Sequence, residues 1–148
     1  MYKEIVKEQD YEQIVRDTFE DDYELFEFYH FITGDKEKAL NDTIEKIVNF
    51  KNEMPNANYK FFAVKDEGGT IGYFSIANNK ILHSFGLELP YRTKQNLHDF
   101  INLIKEEKVE LCILYSKNER AINFLTKNGF VFQNEIEYES DKITILKY

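Results

Sequence analysis

The sequence has one cysteine, no tryptophan and two prolines among 148 residues. A single cysteine cannot form an intramolecular disulfide, and it excludes the multi-cysteine zinc and iron–sulfur sites. His30, His83 and His98 have no metal-ligand spacing with one another or with Cys112, so no metal site is predicted. Cys112 lies in an apolar run, and we expect it to be an inert core residue.

Long hydrophobic runs are also missing. The longest, such as Leu111–Tyr115, are far shorter than the roughly 20 residues that a membrane-spanning helix needs. The first ten residues alternate charged with apolar side chains, unlike the core of a signal peptide. We therefore expect a cytoplasmic protein that does not associate with membranes.

Basic residues are outnumbered, with 19 Lys and Arg against 27 Asp and Glu, and the formal net charge is -8 at pH 7. This balance argues against a nonspecific nucleic-acid-binding protein. The content of 43% hydrophobic and 31% charged residues is that of an ordinary globular protein. One domain over residues 1–148 is predicted, because a chain of this length can bury a sizeable core.

Hydrophobic periodicity predicts a mixed α/β arrangement. A short strand-like start at residues 2–6 precedes two amphipathic helices, over residues 11–31, with the acidic residues 20–22 as the candidate break, and from 39 to about 54. Asn118 is predicted to cap the last helix and Gly129 to end it. The other predicted elements are strands at 59–64, 70–77, 80–89 and 110–115, a helix at 95–108, and a hairpin of strands at 130–138 and 142–147.

The first of these helices is rich in aromatic residues on more than one face. They are Phe19, Tyr23, Phe26, Phe28, Tyr29 and Phe31. Because the apolar stripe of one helix covers part of its circumference, some of these rings need a second surface. Two interpretations stay open: the chain's own sheet buries them, or they form the surface for a protein partner or a second copy of the chain.

Residues 118–130 read N-E-R-A-I-N-F-L-T-K-N-G-F, which resembles the N-x-x-A-x-x-F-Y-x-x-x-G-F segment of the GCN5-related N-acetyltransferases, the GNAT family. Residues 87–92, L-E-L-P-Y-R, resemble the V-x-P-x-Y-R strand end of that family. The resemblance spans about residues 59–138, and the predicted elements follow the family's order. It implies a GNAT-like α/β fold, a twisted sheet of about six or seven strands flanked by about four helices.

The resemblance also implies where a cofactor would lie. In the family, acyl-coenzyme A binds where two parallel strands separate, with its pyrophosphate on the backbone amides of an R-x-x-G-x-G/A loop. Here that loop reads R-T-K-Q-N-L, with Gln95 and Leu97 at the glycine positions. A solvated basic turn explains Arg92 and Lys94 equally well. The positions that the resemblance assigns to cofactor binding are Leu87, Leu89, Arg92, Thr93, Lys94, Gln95, Asn96, Leu97 and Asn118.

For catalysis, the resemblance places Glu88 at the position of the base that deprotonates an amine. Strand alternation alone explains Glu88 as an outward-facing residue. The tyrosine that protonates the leaving thiolate in the family is replaced by Leu125, which cannot donate a proton, and Tyr115 is the candidate substitute. His83 and Ser84 are adjacent on a predicted strand, so they should point to opposite faces and not form a nucleophile–base pair.

Two functions follow from the resemblance. One is an N-acyltransferase that uses acetyl-coenzyme A or another acyl-coenzyme A on a small amine or a protein amine. The other is a non-catalytic binding or structural protein with an eroded loop and no cofactor, similar to GNAT-like proteins of tailed phages and then cytoplasmic or associated with the virion. The loss of both loop glycines and of the acid tyrosine favours the second.

Overall fold

The computed structural model describes residues 1–22, 25, 35–49 and 56–148. In these residues it has seven strands and four α-helices: β1 (Tyr2–Ile5), α1 (Tyr11–Phe19), α2 (Lys36–Val48), β2 (Tyr59–Asp66), β3 (Gly69–Ala77), β4 (Ile81–Leu87), α3 (Lys94–Glu106), β5 (Leu111–Tyr115), α4 (Glu119–Lys127), β6 (Val131–Tyr138) and β7 (Asp141–Lys147). The predicted mixed α/β class is confirmed. Within the described ranges, no helix is long and apolar enough to cross a membrane.

The seven strands form one sheet in the order β1-β2-β3-β4-β5-β7-β6. Neighbouring strands run antiparallel except β4 and β5, which are parallel. The β4–β5 register pairs Ile81 with Leu111 and Leu82 with Cys112, and it goes no further. Because β4 continues to Leu87 and β5 to Tyr115, the two strands separate beyond their first pairs.

Alternate residues of the central strands contribute to two different cores. Phe61 and Tyr73 belong to a cluster with Val15 and Phe19 of α1 and with residues of α2. The neighbouring residues of β2 and β3, including Phe74, join a second cluster with α3 and α4. Since successive strand residues face opposite sides of a sheet, α1 and α2 cover one face and α3 and α4 cover the other.

Short-range signals in the sequence explain several element ends. Asp35 caps α2 by accepting a hydrogen bond from the amide of Lys38 at 3.1 Å. The predicted Asn118 cap is confirmed, since its side chain accepts from the amide of Ala121 at 3.2 Å. Gly129, the predicted end of α4, has φ +101°, which only glycine adopts readily.

Two predicted elements are longer than the elements in the structure, and part of one prediction lies outside the described residues. The strand predicted to reach residue 89 ends at Leu87, because residues 89–91 form a 3-10 turn that begins at Leu89 and contains Pro90. Helix α1 ends at Phe19, directly before the candidate break at residues 20–22, and most of the predicted extension to residue 31 lies outside the described residues. Of the six aromatic residues singled out there, Phe19 is described: it is 4% exposed and packs edge-on against Tyr73 at 5.8 Å.

Candidate functional site

A cleft of about 200 Å³ lies where β4 and β5 separate. It runs through the gap between the strands, so both layers of helices contribute to its wall. Its lining includes residues 83–87 of β4, Leu114 of β5, Leu97 and Phe100 of α3, Ala121 and Phe124 of α4, Phe19 and Leu25 from the N-terminal layer, and Arg92, Asn118 and Arg120 at its rim. In the described part of the chain, no group of three or more His, Cys, Asp or Glu could hold a metal ion.

A β-bulge shapes the β4 side of the cleft. Ser75 of β3 pairs with Ser84, and Ile76 pairs with Leu82, so His83 is an additional residue without a partner in the ladder. A bulge redirects side chains that would otherwise alternate between the faces. The bulge therefore changes which side His83 faces.

The prediction that His83 and Ser84 point to opposite faces is wrong for this reason. The Nδ1 atom of His83 lies 3.1 Å from the Tyr59 hydroxyl, and the Oγ atom of Ser84 lies 2.5 Å from the Tyr73 hydroxyl. Tyr59 and Tyr73 both pack in the cluster under α1. Burial lowers the pKa of His83 to about 4, so this imidazole is neutral at pH 7.

Helix α3 begins inside the segment predicted as a phosphate loop. Its first residue is Lys94, and Thr93 caps it by accepting a hydrogen bond from the amide of Asn96 at 3.2 Å. The side chain of Asn96 donates to the carbonyl of Tyr91 at 2.9 Å. Residues 92–97 thus form a capped helix start, and the backbone amide of Asn96 is already hydrogen-bonded within the chain.

The two residues at the glycine positions have different surroundings. Gln95 is exposed, and its amide donates to Asp99 one turn further along α3 at 2.9 Å. Leu97 is half-buried, packs on the core beneath α3 and lines the cleft. Phe100, Ile101 and Ile104 bury α3 against the sheet, and the leucine is part of the cleft wall.

Arg92 is part of an internal ion-pair cluster. Its Nε atom donates to the carbonyl of Leu87 at 2.7 Å, and its Nη2 atom donates to Oδ2 of Asp22 at 2.7 Å. Arg120 donates to the same oxygen at 2.8 Å. The Arg92 side chain is 20% exposed and that of Asp22 is 2% exposed, so a solvated basic turn does not describe Arg92.

The two arginines determine the charge of Asp22. Burial alone would raise the pKa of Asp22, but the hydrogen bonds from Arg120 and Arg92 and their positive charges outweigh it. The pKa of Asp22 is therefore held below its usual value, and the carboxylate is ionised at neutral pH. Its other oxygen, Oδ1, accepts a hydrogen bond from the amide of Leu25 at 3.3 Å.

No protein-family sequence model and no curated protein sequence matches the chain. Solved structures do. The PaiA N-acetyltransferase of Thermoplasma acidophilum, in complex with coenzyme A, matches over 100% of both chains with TM-score 0.60 and 20% identity. This chain has the GNAT fold. A GCN5-related N-acetyltransferase from Rhodopseudomonas palustris matches with TM-score 0.62 and 12% identity over 97% of this chain and 92% of that one.

A third GNAT-fold structure, of the histone acetyltransferase HPA2 and related acetyltransferase from Corynebacterium glutamicum, matches with TM-score 0.65 and 13% identity. The match covers 99% of this chain and 94% of that chain. At identities this low, the structural similarity establishes the fold alone, and the activity has to be argued from the site.

Acyl-coenzyme A, the cofactor that the GNAT fold implies, fits this cleft in part. The gap between β4 and β5 offers a slot for an extended arm. The phosphate segment does not fit in the manner that the sequence resemblance implies. Leu97 projects into the cleft wall, Arg92 is bound to Asp22, and the Leu87 carbonyl already accepts from Arg92.

The predicted base, Glu88, lies just beyond β4, and its amide donates to the carbonyl of Ile71 at 2.9 Å. It is half-buried, and the β4 residues that line the cleft end one position earlier, at Leu87. Burial raises the pKa of Glu88, with a further contribution from the carboxylates of Asp17 and Asp66. Its role as a base stays a prediction.

The other predicted site residues are divided between the cleft and its surroundings. Asn118 lines the cleft, whereas Tyr115 is half-buried at the end of β5 next to the cleft residue Leu114. Leu89 is 42% exposed on the 3-10 turn. Leu125 is fully buried in the core below α4, so no proton donor stands at that position.

Sequence reasoning missed Asp22 and Arg120. Asp22 stands in the acidic run at residues 20–22, which looked like a break in the helix. A signal was present, since aspartate is a favoured helix N-cap residue, and Asp22 does accept a hydrogen bond from the amide of Leu25. Arg120 occupies a variable position of the motif that begins at Asn118, and no spacing linked it to Asp22.

Proposed function

We propose that this chain is a non-catalytic GNAT-fold binding protein that uses the cleft between β4 and β5 without acyl transfer. The observation that carries the proposal is the internal engagement of Arg92 by Asp22 and by the Leu87 carbonyl. A cation that is neutralised by a buried carboxylate offers little attraction to a pyrophosphate, because the ligand has to break the existing charge-assisted bonds first.

The residues at the predicted proton-transfer positions also support a non-catalytic role. Proton transfer in the transition state requires a donor or acceptor within hydrogen-bond reach of the reacting atoms. Leu125 supplies none, and neither Glu88 nor Tyr115 belongs to the described cleft wall. The neutral His83 does line the cleft, but burial lowers its pKa so far that it is a weak base.

An acyl-coenzyme A-dependent N-acyltransferase is the second candidate. The raised pKa of Glu88 suits a general base, and the strand gap is retained. In this case acetyl-coenzyme A or another acyl-coenzyme A is the cofactor, as coenzyme A is the bound ligand of the Thermoplasma acidophilum structure.

Partner and origin are further parts of the proposal. A protein partner or a second copy at the aromatic N-terminal segment, a phage source, and a cytoplasmic or virion-associated location rest on sequence composition. Five of the six aromatic residues concerned lie outside the described residues.

Thermal unfolding with and without acetyl-coenzyme A tests the proposal. A ligand at about 100 times its Kd stabilises a fold by about 2.7 kcal/mol, which is a rise of roughly 5–10 °C in Tm for a chain of this size. We expect no rise. Release of free coenzyme A thiol in the presence of a small polyamine and of an amine-terminated peptide is measured in parallel, and we expect none.

The matched variants are Lys94→Gln on α3 and Lys127→Gln on α4, two lysines near opposite ends of their helices. A saturable rise in Tm that Lys94→Gln removes and Lys127→Gln retains would show that the α3 segment binds the cofactor. Thiol release above the uncatalysed rate would identify the chain as an enzyme. Either result overturns the proposal.

A further inference from the structure

Strand β6 forms one edge of the sheet. It is the last strand in the sheet order, and among the described residues it pairs with β7 alone. All eight of its residues are exposed, including Val131 at 66%, Phe132 at 59% and Ile136 at 42%. Every second residue of an edge strand directs its backbone N–H and C=O away from the sheet, where another extended chain can bond to them.

The sequence of β6 has few of the features that keep edge strands unpaired. Lysine, proline and short length are common ones, and β6 has neither a lysine nor a proline in its eight residues. A β-bulge disturbs its start, because Gln133 has no partner between the pairs formed by Phe132 and Asn134. Residues 134–138 follow without a further register shift, so this part of the edge can serve as a template for one more strand.

The two faces of this template differ in chemistry. Glu135 pairs with the buried Thr144, which shares a face of β7 with the core residue Leu146. Glu137 lies on that face too, and Ile136, between the two glutamates, lies on the other. Opposed residues of neighbouring strands point to the same face. A strand added to β6 therefore places alternate side chains beside two carboxylates and beside an exposed isoleucine.

The charge along this edge is negative. Strand β6 carries Glu135 and Glu137, and Glu139 follows in the turn to β7. Within the described residues, the one basic side chain within salt-bridge distance of them is Lys142, 3.8 Å from Glu135 and 61% exposed. An exposed pair of this kind contributes little, so the edge favours a cationic partner and repels nucleic acids and anionic membranes.

A second copy of this chain is a poor partner for the same edge. Every charged residue of β6 is a glutamate, so pairing with a second β6 brings acidic side chains together, and like charges on opposed strands are destabilising. The other edge, β1, has one basic residue, Lys3, whose ammonium group pairs with Glu106 and whose side chain is 18% exposed. Neither edge of a second copy therefore supplies exposed cations.

We infer that residues 134–138 of β6 bind an extended protein segment in which lysine or arginine alternates with apolar residues. The segment adds one strand to the sheet, with its basic side chains beside Glu135 and Glu137 and its apolar side chains beside Ile136. This surface is separate from the cleft, because β7 lies between β6 and β5. The inference therefore does not depend on the proposed function.

The probe is the peptide T-K-V-K-V-K-V-T, whose binding to the full chain is titrated by calorimetry. Two control peptides are matched to it: T-K-K-K-V-V-V-T has the same composition and charge without the alternation, and T-E-V-E-V-E-V-T has the alternation with the opposite charge. We expect each change to weaken binding at least about tenfold, because it removes the matched contacts along the strand. Absence of binding by the first peptide, or a control that binds as tightly, overturns the inference.

Variants of the chain locate the site. The double variant Glu135→Gln, Glu137→Gln should weaken binding by about threefold to tenfold, as expected for two exposed ion pairs. Its matched control is Glu12→Gln with Glu67→Gln, which removes two exposed carboxylates from α1 and from the turn between β2 and β3 and should leave binding unchanged. Equal affinities of the two double variants overturn the inference.

Amide hydrogen exchange separates strand addition from simple attraction between a basic peptide and an acidic surface. Saturating peptide should slow exchange in β6 at least about tenfold and leave β1, the opposite edge, unchanged. No protection of β6, or equal protection of both edges, overturns the inference. Protection of β6 without peptide that rises with protein concentration, together with a dimer in sedimentation, also overturns it, because the edge then belongs to a second copy.

Discussion

The variant Arg92→Gln tests whether this arginine stabilises the fold through its internal contacts or is a free cation on a ligand loop. In the structure, Arg92 makes one hydrogen bond to a buried carboxylate and one to a backbone carbonyl. A hydrogen bond with one charged partner contributes about 1.5–3 kcal/mol, and both bonds of Arg92 are of this kind because its guanidinium group is charged. Arg120 still pairs with Asp22 in the variant, so we expect a loss of about 2–3 kcal/mol in the free energy of unfolding.

Arg120→Gln is the matched comparison. The Arg120 side chain is 47% exposed, whereas that of Arg92 is 20% exposed. Solvent screens the exposed pair, and exposed ion pairs contribute about 0.2–1 kcal/mol. We therefore expect Arg120→Gln to cost less than half as much as Arg92→Gln, although both contact the same oxygen of Asp22.

Urea unfolding followed by circular dichroism measures both variants, with the free energies taken from the midpoints at a common slope. The loss for Arg92→Gln corresponds to a decrease of about 4–12 °C in Tm for a chain of this size. A double-mutant cycle with Asp22→Asn then isolates the coupling between the partners. A loss below about 0.5 kcal/mol, typical of a surface substitution, would refute the internal role.

Three further predictions concern the sheet. Because the pKa of His83 is lowered to about 4 in the folded state, only the unfolded chain binds the extra proton as pH falls from about 6.5 to 4. The free energy of unfolding, measured with urea, should therefore decrease by about 3 kcal/mol across that window. His83→Gln should remove this pH dependence, and His98→Gln should not. Gly72→Ala should destabilise the chain by about 3 kcal/mol in the same assay, since a Cβ there would lie 2.3 Å from the Gly86 carbonyl oxygen. Gly68→Ala is the mild control, because a Cβ there would lie 3.3 Å from a side-chain oxygen of Asp66. Cys112 should not react with a thiol reagent until the chain unfolds, because it is buried and burial raises the pKa of its thiol; rapid labelling in native buffer would contradict this.

Local features of the sequence predicted most of the fold. The Asn118 cap and the left-handed Gly129 depend on hydrogen bonds and backbone angles within a few residues, so they could be recognised from residue type alone. The strands were located by alternation of apolar residues. Strand ends were less predictable, and β4 stops at Leu87 because the 3-10 turn at Pro90 competes with the extended chain.

The site was predicted less completely. Leu97 and Asn118, which the resemblance assigns to cofactor binding, line the cleft, and their role there stays a prediction. The side to which His83 points depends on the register between β3 and β4, since one unpaired residue reverses the alternation. A sequence pattern within one strand does not predict how that strand is aligned with its neighbour.

By itself, the sequence determined the α/β class, the cap at Asn118, the loss of the loop glycines at Gln95 and Leu97, and the absence of a proton donor at Leu125. Each of these depends on residue identity or on contacts between near neighbours in the chain. The tertiary structure alone decided that Asp22 pairs with Arg92 and Arg120, which lie 70 and 98 residues away along the chain. Contacts at such separations arise from the packing of layers on a sheet, and no periodicity records which side chains meet there.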